Sequence, residues 1–242
     1  MIDFGLLVSM ILAIGVPSVV ARWWPLRSFP EPVGVFDVAL GPGFLGLAVG
    51  RLTAVALDDP QSLGRVGDLL IIRSGVEFWA GAAAGTALMV WGAVRHGVSP
   101  WRRLADLAPL ALIGHAAYEA ACPFRDGCFG PGSAVGLRPP GLTTTMLPIG
   151  LVMAATVALG AVVLHTRARP METVIGATWL VATVRAIGSV WLPHVGEGLT
   201  RQHQTSIVVA VVSSLVLVGL VVAGRNRDPI VPESVAAGGQ EP

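Results

Sequence analysis

Lysine is absent from the 242-residue chain, and charged residues of every kind make up only 13% of it. That is about half the share carried by an ordinary soluble domain. The shortage of charge excludes a disordered chain. With a net charge of +1 and no basic face, it also excludes nucleic acid as a partner. There is one tyrosine and there are two cysteines. Cys122 and Cys128 have no second cysteine pair and no paired histidines at ligand spacing, which argues against a zinc site; no metal and no cofactor are expected. Dinucleotide, P-loop, HExxH and GxSxG signatures are missing in any usable context.

What the chain has is apolar sequence. Hydrophobic residues make up 53% of it and the mean hydropathy is +0.71. Seven apolar stretches approach the length of about 20 residues that a membrane-spanning helix needs, at roughly 4–21, 35–57, 76–94, 104–121, 147–164, 174–192 and 206–223. The first lacks a basic start and runs straight into Arg22-Trp23-Trp24-Pro25, so it reads as a helix of the protein rather than a signal peptide. Trp23, Trp24, Trp101 and Trp191 fall at stretch ends, where an indole suits the headgroup layer. The fold class expected is therefore all-α: a polytopic membrane protein with about seven transmembrane helices. Residues 1–227 form one membrane domain, and residues 228–242 read as a disordered tail.

The arginines set the orientation. One set of alternating connections holds Arg22, Arg27, Arg95, Arg102, Arg103, Arg167, Arg169, Arg225 and Arg227. The other holds Arg65, Arg73, Arg125, Arg138 and Arg201. The positive-inside rule then places the N-terminus outside and the C-terminus in the cytoplasm. Glycines at 41, 43, 46, 50, 75, 81 and 85 suggest close helix packing. Gly41-Pro42-Gly43 is expected to kink or break the second helix.

Ionisable groups inside apolar stretches are costly and mark functional sites. Arg51, Glu77, His115, Glu119 and Arg185 are such groups. His115 and Glu119 share a helix face at i, i+4; Cys122 continues the stripe and Tyr118 lies on a neighbouring line. Two readings stand side by side. One is a buried ion-pair network joining Glu119 to Arg185 or Arg51, and Asp37 belongs either with it or with the interface. The other is a polar cavity for a lipid headgroup, with the arginines as bidentate anion clamps. Cys122 and Cys128 read first as a short structural disulfide on the outer side, where one is permitted, and second as a reactive thiol. His194, Arg201 and His203 read as solvated residues of the last outer loop.

From about Val35 to Val222 the order of motifs resembles the bacterial prolipoprotein diacylglyceryl transferases. These enzymes move the diacylglyceryl group of phosphatidylglycerol onto the thiol of a lipobox cysteine. Gly50-Arg51-Leu52 looks like the family's early glycine–arginine pair. The segment from Ile72 to Gly81 looks like its glycine-rich stretch. Asp106-Leu107-Ala108-Pro109, Gly114, Cys122, and Gly127 to Gly130 look like its signature. Arg185 fits the arginine of the late helix, and Thr200 to Ser206 fits the polar stretch before the last one. Some family positions are substituted: the histidine of the glycine-rich stretch falls on Trp79, the signature arginine on Glu119, and the late tyrosine on Val181. The signature asparagine falls on Cys122, as in a cysteine-bearing branch of the family.

The resemblance implies a protein of the bacterial inner membrane that binds a phosphatidylglycerol-like phospholipid, with a preprolipoprotein or a membrane complex as partner. The candidate catalytic residues are His115 as a base, Arg185 and Glu119. The candidate substrate-binding residues are Arg51, Arg125, Tyr118 and Gln204. The alternative is a catalytically inactive membrane subunit or lipid-binding scaffold of that fold. A redox protein using Cys122 and Cys128 is the third reading.

Overall fold

A computed structural model of the chain describes residues 4–24, 26–29, 34–64, 75–124, 129–139, 141–166, 169–192 and 199–225. Arg125, Cys128, His194 and the tail 228–242 lie outside the described residues, as does the side chain of Asp37.

Each of the seven apolar stretches coincides with a helix: α1 (Phe4–Val20), α2 (Val35–Asp58), α3 (Phe78–Arg95), α4 (Pro100–Ala120), α5 (Ile149–His165), α6 (Pro170–Gly188) and α7 (Arg201–Arg225). Three of them begin before their apolar runs. Pro100 and Pro170 open α4 and α6, where a missing N–H costs nothing. The polar turn Arg201–Thr205 opens α7 because its side chains find partners on other helices, as described below. A short strand, β1 (Gly132–Leu137), bridges to Met146 in the connection between α4 and α5; hydropathy gave no sign of it.

Of the kink or break expected at Pro42, the break does not occur: α2 runs through it from Val35 to Asp58. Proline there removes one backbone donor near the start of a long helix, and α3 supports α2 on both sides of it. A Cβ built on Gly85 would lie 2.9 Å from the Pro42 carbonyl oxygen, and one on Gly81 would lie 2.6 Å from that of Gly46. A Cβ on Gly50 would lie 2.8 Å from the Glu77 oxygen. These helices therefore run antiparallel with their backbones in contact, as small residues four apart permit. Gly75 lies just ahead of α3 rather than inside it.

Helix α4 packs against α1, α3, α5 and α6. The core lies where α4, α5 and α6 meet: Leu112 and Ala116 against Met153 and Val157, Ala177 and Val181. Around it the usual polarity is inverted. Arg51, Glu77, Arg103, Glu119, His203, Ser206 and Ser213 are buried, whereas Val208, Val211, Val212, Leu215, Val218, Val221 and Val222 of α7 are each more than half exposed. Two helices, Val38–Asp58 and Arg201–Ala223, are long and apolar enough to cross a membrane.

Candidate functional site

The ends of α2, α4 and α6 and the starts of α3, α5 and α7 meet at one end of the bundle, and the polar side chains gather there. The organising piece is the extended segment Gly75-Val76-Glu77 that leads into α3. Its Glu77 N–H donates to the Gly50 carbonyl at 3.0 Å, which locks it against α2. Each of its three residues then holds one polar side chain. Arg51 Nη1 donates to the Gly75 carbonyl at 3.3 Å. Gln202 Nε2 donates to the Val76 carbonyl at 3.1 Å. Arg201 Nε donates to Glu77 Oε1 at 2.8 Å, and its Nη2 to Asp58 at 3.0 Å.

Gln202 also accepts from Arg185 Nη2 at 3.2 Å, so one side chain joins the second arginine to the same segment. The Arg185 guanidinium lies 4.3 Å from the Phe78 ring centroid, a cation–π distance. The imidazole of His115 lies 5.7 Å from the same ring. Glu119 and Tyr118 are close enough to act electrostatically on Arg185. Arg185 Nε is buried and has no hydrogen-bond partner among the described residues.

The sequence-derived candidates thus divide. Arg185 and His115 both lie against Phe78, Glu119 and Tyr118 lie near Arg185, and Arg51 is held on the Gly75 carbonyl of the same segment. Gln204 does not: it is exposed and donates to the Leu199 carbonyl at 3.4 Å. Gln202 stands where Gln204 was expected. Arg201 and His203 are not loop residues but lie in the first turn of α7; His203 is buried against Ser189. Cys122 is fully buried and disulfide-bonded, and it packs on α5 so closely that a Cβ on Gly150 would lie 2.9 Å from its sulfur.

No family model and no curated protein matches the chain.

Trp79 and Val181 have plain structural uses. Trp79 packs against the core and donates from Nε1 to Ser206 Oγ at 2.9 Å. Val181 is part of the core itself. Glu77, Phe78 and Gln202 are the contributors that the sequence reading left off its list of site residues. Glu77 had a signal, being an acid at the start of an apolar stretch; Phe78 and Gln202 lay within the segments 72–81 and 200–206 but were not singled out there. Beside the same end, an apolar groove of about 820 Å³ lies between Phe129, Met146 and Leu147 on one side and Trp191 and Leu192 on the other.

Proposed function

We propose that the chain is a multi-pass membrane protein of seven spans, and that Arg51 and Arg185 hold the phosphate of an anionic phospholipid at the outer end of the bundle. It is a diverged relative of the prolipoprotein diacylglyceryl transferases in this reading. The inverted surface supports the membrane setting, because valines face outward on α7 where serines and His203 face inward. The observation that carries the headgroup reading is Arg185. Its charge lies against Phe78 and Gln202, yet Nε keeps an unused donor in the interior. A guanidinium with an open edge is suited to phosphate oxygens, and the neighbouring apolar groove has room for acyl chain.

Transfer chemistry follows from the same arrangement. His115 takes the proton of an acceptor cysteine thiol. The sulfur attacks the glycerol carbon that bears the phosphate, a C–S bond forms and the C–O bond breaks. Glycerol phosphate leaves with the electron pair, its charge met by Arg51 and Arg185.

The experiment is transfer of labelled diacylglyceryl from phosphatidylglycerol to a lipobox peptide by purified protein in nanodiscs, with Arg185→Ala and His115→Ala alongside. Transfer that falls at least about 100-fold in both folded variants supports the reading. Transfer unaffected by Arg185→Ala sinks it. Lipid binding without transfer in the well-folded wild type would favour the second reading, an inactive scaffold. That reading is favoured by Glu119 acting on Arg185 and by the structural roles of Trp79 and Val181.

A further inference from the structure

The opposite end of the bundle holds another buried arginine, which the headgroup reading does not use. Arg103, in the first turn of α4, is 7% exposed. Its guanidinium lies 4.3 Å from the Phe29 ring centroid, and Nη2 reaches the Ser28 carbonyl only at 3.5 Å. Arg103 Nε is buried with no hydrogen-bond partner, and so is the hydroxyl of Ser28 beside it. Asp106, on the next turn of α4, accepts from the Ser28 N–H at 2.6 Å, which fixes the loop residue over the helix. Among the described residues, no carboxylate forms an ion pair with Arg103.

A buried cation with no counter-charge among the described residues is a costly feature for a fold to carry. One ring face and one long carbonyl contact do not offset it. The two unused donors, a charged Nε and a neutral hydroxyl, belong to residues already in contact. Asp106, the only acid of the cluster among the described residues, is directed at a backbone N–H. The same end carries the exposed Arg22, Arg27, Arg95, Arg102 and Arg169, a concentration of positive charge that attracts anions from the adjoining solution or leaflet.

We propose that Arg103 and Ser28 form a second phosphate-binding site, at the end of the bundle opposite Arg185. Nε and the Ser28 hydroxyl donate to phosphate oxygens, and the surrounding arginines raise the local anion concentration. The phosphate belongs either to the headgroup of a phospholipid in the adjoining leaflet or to free phosphate. This site does not depend on the headgroup reading of Arg185.

The test titrates full-length protein in an uncharged detergent with dioctanoyl-phosphatidylglycerol and, separately, with inorganic phosphate. It compares wild type, Ser28→Ala, Arg103→Lys and Arg185→Ala. Ser28→Ala and Arg103→Lys should each weaken one binding component by about tenfold or more, and Arg185→Ala should leave that component in place. Loss confined to the lipid titration assigns a headgroup; loss in the phosphate titration, with phosphate displacing the lipid, assigns free phosphate. Either supports the site. Should Arg103→Lys fail to fold, Ser28→Ala decides alone, because it deletes only a hydroxyl. Affinities for both ligands unchanged in folded Ser28→Ala protein would overturn the proposal, whatever Arg185→Ala does.

Discussion

At the scale of single residues, the site is an arrangement of side chains around backbone carbonyls. The ion pair between Arg201 and Glu77 makes this testable, since its partners are unequally buried: the Glu77 side chain is 9% exposed and that of Arg201 41%. Glu77→Gln leaves Arg201 with Asp58 and solvent, and should cost about 1 kcal/mol. Arg201→Gln strands a carboxylate in the interior and should cost about 3 kcal/mol. Unfolding midpoints of the two variants in the same detergent decide it, and equal losses would mean the pair is solvated. The same logic explains how much of the site could be read from the sequence. Arg51, His115, Glu119 and Arg185 were conspicuous because ionisable residues stand out in apolar runs. Choosing between Gln202 and Gln204 required the rotation of α7, since residues two apart point about 200° apart on a helix. The carbonyls of Gly75 and Val76 accept hydrogen bonds with no side-chain signature at all.

At the scale of elements, all seven helices were legible because a long apolar run has few other ways to satisfy its backbone. Their polar first turns were not, because Arg201 and Gln202 become helical only once Glu77 and Val76 are in place to receive them. Pro42 leaves α2 unbroken for a related reason, as contact with α3 outweighs one missing hydrogen bond. That contact carries its own prediction. A methyl group on Gly81 would press on the Gly46 carbonyl oxygen at 2.6 Å, whereas Gly43 and Gly92 have nothing within 4 Å of an added Cβ. Gly81→Ala should therefore lose about 2 kcal/mol by forcing the helices apart. Gly43→Ala and Gly92→Ala should gain about 0.5 kcal/mol from reduced backbone freedom. Unfolding in mixed micelles measures all three, and a Gly81→Ala protein as stable as the other two would mean that α2 and α3 slide freely.

At the scale of the whole molecule, two features that are independent of each other point to the same orientation. One is the arginine imbalance, which under the seven-span reading proposed above would place the end bearing Arg22, Arg95, Arg102 and Arg103 in the cytoplasm. The other is Cys122: it is disulfide-bonded, and it lies at the end where α4 stops, the same end as Arg185. In the membrane setting proposed above, disulfides persist on the oxidising side, so this end should face outward. Antiparallel helices then carry the C-terminus of α7 inward, to the end of the bundle that bears Arg103. A fluorescent protein fused after Arg225 should mature and fluoresce, and alkaline phosphatase fused at the same point should be inactive. Inserted instead at the exposed turn around Leu142, in the connection between α4 and α5, the phosphatase should be active. The reverse pattern would put Arg185 in the cytoplasm, where glutathione keeps thiols reduced, and would remove the setting in which an acceptor on the outer face could reach it.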